Sequence, residues 1–332
     1  MKSFKSLKVS YIKNKHSFFL ENNNFRQLKN GEVLVKVKYS GINYKDAISV
    51  TGKNRIIKCE SLIPGLDFSG TVIESNSKNF SKGQKVLATG SGLGEAIDGG
   101  FTEYAYVSNK ILIHIPNNLT PLSAMQIGTA GFTAAIAIDK MILNKQKVNY
   151  GPILVTGATG SVGSISINIL NNIGFETIAL TRKINSLQYL EDIGAKKIIK
   201  FNSSMNKKIL NNKFFAGAID NIGGEVLDWI IKSTKDDGNI VSVGMASDSK
   251  LNTTVFPMIM RSVNILGVSS TNYSSNRKTV WKKLSSNYKP KNLNKINTQC
   301  IELKDVLKFS KKIIAYRPYE KGDLLIYFLY PS

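Results

Sequence analysis

Two cysteines, two histidines and 23 acidic residues among 332 are the scarcities that constrain this chain most. Cys59 and Cys300 cannot build a disulfide framework, and reduced thiols suit a reducing compartment. With only His16 and His114 beside them, neither a three-ligand catalytic zinc site nor a four-cysteine structural site can be assembled from the usual donors. Both histidines are expected at surface or structural positions. The apolar run Gly128 to Ile138 is about half of what a membrane-spanning helix requires, and Asp139 and Lys140 close it. No span is expected. Near the N-terminus the only apolar run is Phe18-Phe19-Leu20, far short of a signal-peptide core, so a cytoplasmic protein is expected. Low-complexity and Pro-rich tracts are missing too, and a 42% hydrophobic content predicts a chain folded throughout, of a length that suits two domains.

The shortage of acids leaves a formal charge of +22, which raises the question of nucleic acid. The basic residues argue against it. Only six of the 45 are Arg, and Lys clusters no more densely than the pairs Lys207-Lys208 and Lys311-Lys312. No nucleic-acid partner is expected, and the positive field better suits a small anionic substrate.

What the chain does contain is two textures. From Glu32 to Val107 short alternating strands recur between glycines: Val33–Val37, Gly70–Ile73, Lys85–Ala88 and Phe101–Val107. This predicts a compact β-rich first domain. After Pro121 helical periods alternate with buried strands, starting with a helix over Ser123–Asn144 and continuing to about Ser270, which predicts parallel strands with crossover helices. The tail offers a helix over Lys304–Ile314 and an apolar strand over Leu324–Leu329 that is expected to rejoin the first domain.

The most informative segment is Pro152–Thr156 followed by Gly157-Ala158-Thr159-Gly160-Ser161-Val162-Gly163. A buried strand enters a glycine-rich turn, and Val162, Ile165, Ile169 and Ile173 mark one face of a helix that ends before Gly174. Such glycines let a dinucleotide pyrophosphate approach the backbone, where the first N–H groups of the helix stabilise its charge. The GxxGxxG spacing departs from the commoner GxGxxG and by itself describes any tight strand-to-helix turn. A second strand over Phe175–Leu180 completes a βαβ unit and makes dinucleotide binding the expectation. Where that strand ends, NAD enzymes place an acid on the ribose, whereas Arg accommodates the extra phosphate of NADP. Here stand Thr181-Arg182-Lys183 and no carboxylate, which predicts NADPH; the alternative is a solvated basic turn. A second glycine cluster, Gly90-Ser91-Gly92-Leu93-Gly94, leads into another strand rather than a helix and is expected as a loop near the cleft.

Taken together, the chain resembles the medium-chain dehydrogenase/reductase superfamily, and within it the acrylyl-CoA reductase branch of the zinc-independent quinone oxidoreductase-like proteins. The resemblance rests on Gly41-Ile42-Asn43-Tyr44-Lys45-Asp46, Ile63 to Gly70, Ile127 to Ala134, the phosphate loop, Ala218 to Gly224 and Thr253 to Pro257. It implies an α/β fold: a GroES-like β-rich catalytic domain and a doubly wound Rossmann domain. The expected spans are 1–122 for the N-terminal part of the catalytic domain, 123–270 for the NADPH-binding domain and 271–332 for a segment returning to the catalytic domain. Zinc-dependent members carry a His-Glu pair in the segment matching Gly65-Leu66-Asp67-Phe68, where the His position is Leu66 here, and hydrocarbon cannot ligate zinc.

The resemblance further implies catalytic roles for Tyr44 and Asn43 beside the nicotinamide ribose, with Thr129 near the nicotinamide. Tyr44 either orients substrate and relays a proton or only bonds the cofactor while solvent supplies the proton. Lys45 and Asp46 are expected to pair across the turn, with Asp46 an anchor rather than an acid catalyst. Cofactor contacts are implied at Tyr44, Thr159, Gly160, Ser161, Val162, Thr181, Arg182, Lys183, Met245, Ile259 and Ser270. Phe201 stands where a basic residue is expected, Ala315 or Tyr316 where an Asn is expected, and an insertion spans Arg317 to Lys321. Arg261 either supports a CoA phosphate or caps the preceding helix. The implied reaction is reduction of acrylyl-CoA to propionyl-CoA by NADPH, in a homodimer. Its alternatives are a generic NADPH:quinone or enone reductase, and a nucleic-acid-binding protein that retains the fold.

Overall fold

The computed structural model describes residues 3–182, 187–271, 273, 276–291, 293, 298–315 and 326–329. In the first domain the strand Glu32–Gly41 is central. It pairs antiparallel with Asp67–Ser75 on one side and with Tyr104–Ser108 on the other, and Lys85–Thr89 and Ile113–His114 extend the sheet. Alternation explains its orientation: Val33, Val35 and Val37 are buried with Phe68, Val72, Val86 and Ala88, while Lys36 and Lys38 point outward. The tail returns as expected, since Ile326–Leu329 pairs antiparallel with Ser40 and Gly41 and parallel with Thr298–Ile301. Two features go beyond the sequence reading. Ser3–Ile12 and Lys15–Asn24 form an antiparallel hairpin turned by Lys13 and Asn14, both at positive φ. The strand expected from Phe101 begins only at Tyr104, because the Phe101 N–H bonds Pro64 O and the Thr102 N–H bonds Gly100 O.

The second domain is a six-stranded parallel sheet in the order Lys197–Ile199, Thr177–Leu180, Ile153–Thr156, Phe215–Asp220, Thr234–Ser242, Asn264–Gly267. Ile153–Thr156, Thr177–Leu180 and Phe215–Asp220 are wholly buried, as strands covered by helices on both faces must be. The order in which successive strands are added reverses direction across the sheet between Ile153–Thr156 and Phe215–Asp220, while the strands themselves stay parallel. Crevices for ligands open at such switch points, beyond the carboxyl ends of the strands.

Between the domains runs Pro121–Leu143, begun by Thr120 and Ser123, whose hydroxyls accept each other's backbone N–H. That cap starts the helix ahead of the expected Ser123. It is long and apolar enough to cross a membrane by length and composition, yet 78% of its most apolar window is buried in the core. Gly128, at φ 50° and ψ −156°, breaks it in two. Arg277–Leu284 packs against its second half, where Phe132 and Trp281 stack with ring centroids 6.4 Å apart.

Candidate active site

The break at Gly128 releases the Thr129 N–H from the helical ladder and turns it toward Asp67. This carboxylate is fully buried and accepts four hydrogen bonds. Oδ2 takes the Thr129 N–H at 2.8 Å, the Thr129 hydroxyl at 2.6 Å and Asn43 Nδ2 at 3.2 Å; Oδ1 takes the Gly41 N–H at 2.9 Å. Asp67 therefore ties three elements to one point: the end of the central strand, the start of the helix Tyr44–Thr51, and the broken interdomain helix. Asn43 bridges to a second buried acid, its Nδ2 and its backbone N–H both donating to Asp46 Oδ2 at 3.0 and 2.9 Å. The Leu66 N–H completes Asp46 at Oδ1, 3.0 Å away.

Lys45 does not pair with Asp46. It reaches Glu95 Oε1 at 2.7 Å, because Asp46 turns inward to cap its own helix while Lys45 faces the 90–95 turn. Tyr44 opens that helix with its side chain about half exposed. Asn43, Thr129 and Ser161 line one narrow cavity with Asp67, which brings the phosphate loop and the catalytic domain together; Tyr44 is adjacent to it but does not line it. The role of Asp67 escaped the sequence reading. Its signal was an acid inside an otherwise apolar strand beginning.

Burial raises both carboxyls. Desolvation, and then the neighbouring Asp67, push Asp46 up to about 7, while desolvation raises Asp67 against the pull of its Thr129, Gly41 and Asn43 donors. Between about pH 4 and about 7, native Asp46 holds a proton that the unfolded chain releases. Its contribution to stability is thus greatest below the unfolded value and declines as pH rises through the folded one. Asp46→Asn removes this dependence. In urea unfolding, the stability of wild type minus that of the variant is expected to fall by up to about 4 kcal/mol from pH 4 to 8. Parallel curves would show that Asp46 does not titrate in this range.

On the opposite wall, Gly157, at φ 56°, leaves the strand Ile153–Thr156 and turns the chain into the helix Ser161–Asn172. A Cβ at Gly163 would lie 2.4 Å from Gly157 O, so only glycine permits this crossing. No side chain caps the helix at Gly160, which leaves its first N–H groups for an anion. The neighbouring strand end is held by Asp220, which accepts from Thr156 Oγ1 at 2.7 Å and from the Gly223 N–H at 2.9 Å. Beside it Asn221 Oδ1 is buried without a partner, an orphan acceptor facing the switch point. Cradle, open helix end and orphan acceptor fit a bound dinucleotide.

Thr159, Gly160 and Val162 sit in this cradle. Thr181 and Arg182, Met245 and Ser270 each follow the carboxyl end of a parallel strand and so lie along the same edge of the sheet. Ile259 lies exposed in a short helix. Its helix, Phe256–Arg261, ends at the opposite edge, where Arg261 donates to Lys232 O and Thr234 O at 3.0 and 3.1 Å and to Asn211 O at 2.5 Å. Arg261 thus caps the helix Gly224–Ser233. Phe201 is buried against Trp229, ring centroids 5.6 Å apart. His16 bonds Ser49 O, and His114 bonds Asn79 O while stacking on Phe80. Ala315 closes the helix Val306–Ala315; Lys183, Tyr316 and the insertion Arg317 to Lys321 lie outside the described residues.

A β-rich domain and a Rossmann domain facing one cleft define a two-domain nucleotide-dependent oxidoreductase architecture. Residues 29–117 match the family described as "Alcohol dehydrogenase GroES-like domain", and residues 161–286 match "Zinc-binding dehydrogenase". A Bacillus subtilis protein named "Putative quinone oxidoreductase YhfP" is 36% identical over 86% of this chain and 87% of its own. "Acrylyl-CoA reductase AcuI" of Ruegeria pomeroyi is 36% identical over 77% of this chain and 78% of its own. Among solved structures, the yhdH oxidoreductase from Salmonella enterica in complex with NADP superimposes with a TM-score of 0.90, at 32% identity over 99% of this chain and 100% of that one. The same score is reached by Bacillus subtilis yhfP with NAD bound, at 34% identity over 99% and 100%. The chain belongs to the medium-chain dehydrogenase/reductase superfamily of oxidoreductases.

The name of the second family raises zinc, and the donor set among the described residues does not fit it. Among the described residues no three His, Cys, Asp or Glu converge, and both acids beside Leu66 are already filled by N–H and O–H donors.

Proposed function

We propose that this protein is a zinc-independent, NADPH-dependent reductase of activated carbon–carbon double bonds, and that acrylyl-CoA, reduced to propionyl-CoA, is its substrate. The observation that carries the reading is Asp67, which fixes Asn43 and Thr129 in one cavity with Ser161 of the phosphate loop and is itself filled by donors, so that among the described residues no donor set for a Lewis acid remains. Without such an acid an isolated ketone is a poor hydride acceptor, whereas an α,β-unsaturated thioester already delocalises charge into its carbonyl. The phosphate loop, Thr181, Arg182 and the switch-point edge would hold the cofactor, which supplies a hydride when bound. Thr129 and Asn43 present fixed polar groups from the catalytic side. Tyr44, half exposed beside them, orients the substrate and relays the proton to its α carbon. The acrylyl-CoA assignment draws on the likeness to AcuI. A quinone or enone remains the second reading, favoured by the likeness to YhfP.

NADPH rather than NADH is supported by Arg182 and by the missing acid after the strand Thr177–Leu180, and by the NADP in complex with the Salmonella protein; the NAD bound to yhfP pulls the other way. Arg182→Ala is expected to lower the ratio of NADPH to NADH efficiency by about 10- to 100-fold, the worth of one charge-assisted contact. An unchanged ratio would remove Arg182 from phosphate recognition. The substrate is tested by NADPH oxidation with acrylyl-CoA, crotonyl-CoA and a simple quinone in parallel. Quinone turnover exceeding that of acrylyl-CoA by orders of magnitude would overturn the thioester assignment.

A further inference from the structure

The guanidinium of Arg277 sits where the two domains meet. Nη1 donates to Ser270 O at 3.1 Å, in the connector that leaves the last Rossmann strand. Nη2 donates to Thr89 O and, at 2.9 Å, to Thr89 Oγ1, at the end of a catalytic-domain strand. The group lies over the ring of Phe132, 4.2 Å from its centroid, and no carboxylate among the described residues pairs with it. A charge held this way, half-buried between two carbonyls and a ring, is costly to keep; its pKa is depressed to about 10 by that burial.

The three contacts converge on the active site. Thr89 lies directly across the ladder from Asp67. Phe132 lies one helical turn beyond Thr129, whose O accepts the Thr133 hydroxyl at 2.6 Å. The same seam carries a second set of ties: the Ser91 N–H donates to Thr271 O at 3.2 Å, and Glu95 joins Lys45 at 2.7 Å and the Thr271 hydroxyl at 3.4 Å. The Gly90–Gly94 loop, read from sequence as a loop near the cleft, is the catalytic domain's half of this seam.

We infer that Arg277 is a positioning residue, a clamp that fixes the register of the Asp67–Thr129–Asn43 wall against the dinucleotide edge by holding Thr89 and Ser270 together over Phe132. On this reading it acts through those two walls and not on the substrate itself. The kinetic half of its test rests on the reductase reading above; the exchange half does not.

Arg277→Ala is expected to stay folded and to bind NADPH, by fluorescence titration, within about threefold of wild type, while kcat falls on the order of 100-fold from misregister of the two walls. Because the side chain is only half-buried, added guanidinium is expected to restore part of kcat, and Arg277→Lys, which keeps a cation over Phe132, to fall in between. In the cofactor-free protein, hydrogen exchange is expected to quicken at the Ser91 amide but not within the strand Ile153–Thr156. Unchanged kcat with unchanged Ser91 exchange would overturn the clamp. So would a loss that follows NADPH affinity and is not restored by guanidinium. If wild type fails to turn over any enoyl thioester or quinone, the reductase reading falls, and Ser91 exchange in Arg277→Ala alone decides the clamp.

Discussion

Gly163→Ala raises the dissociation constant for NADPH on the order of 100-fold, with a smaller loss for Gly160→Ala, because the two glycines face different obstacles. The new Cβ at 163 would stand 2.4 Å from Gly157 O and 2.9 Å from Ala158 Cα, both backbone, so the turn itself must move. At 160 the nearest atom is Gly157 O at 3.0 Å, a contact that a shift of a few tenths of an ångström relieves. Displacing the turn takes the first N–H groups of the helix Ser161–Asn172 away from the pyrophosphate, and misplacement of about an ångström in a preorganised site costs about two orders of magnitude. Fluorescence titration with NADPH, alongside thermal melts, checks this. Equal affinities for Gly163→Ala and wild type would mean that the turn does not cradle the cofactor.

Asp67→Asn lowers kcat on the order of 100-fold and stability by about 1–3 kcal/mol, through one mechanism. The carboxylate accepts from Gly41, Asn43 and twice from Thr129, and each of its oxygens faces only donors. An amide supplies one acceptor oxygen and sets an NH2 against at least one N–H, so a buried donor goes unpaired. With the amide oxygen at the Oδ2 position the loss falls on Gly41; in the other rotamer Thr129 and Asn43 both come loose. A KM for NADPH that changes far less than kcat is expected, since the phosphate loop lies on the other domain. Wild-type kcat in a correctly folded Asp67→Asn protein would contradict the role given to this hub.

Much of this molecule could be read from the chain, and the exceptions have physical reasons. The βαβ unit around Gly157 was legible because glycine spacing, a four-residue apolar strand and a 3.6-residue period agree locally. The N-terminal hairpin was not. Ser3–Ile12 mixes Lys and Ser with its apolar residues, and Lys15–Asn24 is mostly exposed, so alternation barely registers. The eight-residue helix Tyr44–Thr51 is too short to show a period. Its stability comes from Asp46 reaching back to Asn43, a tertiary and capping effect. At the site, Asn43 and Thr129 were named by family likeness, yet the group joining them, Asp67, lies 24 residues from one and 62 from the other. The pairing of Lys45 with Glu95 rather than Asp46 likewise depends on a contact 50 residues away. Local sequence carries no record of such distances.

Deuterium transfer from NADPH labelled at the nicotinamide C4 hydride position to acrylyl-CoA tests the proposed reaction most directly. One deuterium on the carbon β to the thioester carbonyl of propionyl-CoA, with the α proton drawn from solvent, is the predicted product. Unlabelled propionyl-CoA, or reduction of the quinone alone when both acceptors are offered, would contradict hydride delivery to the activated thioester double bond.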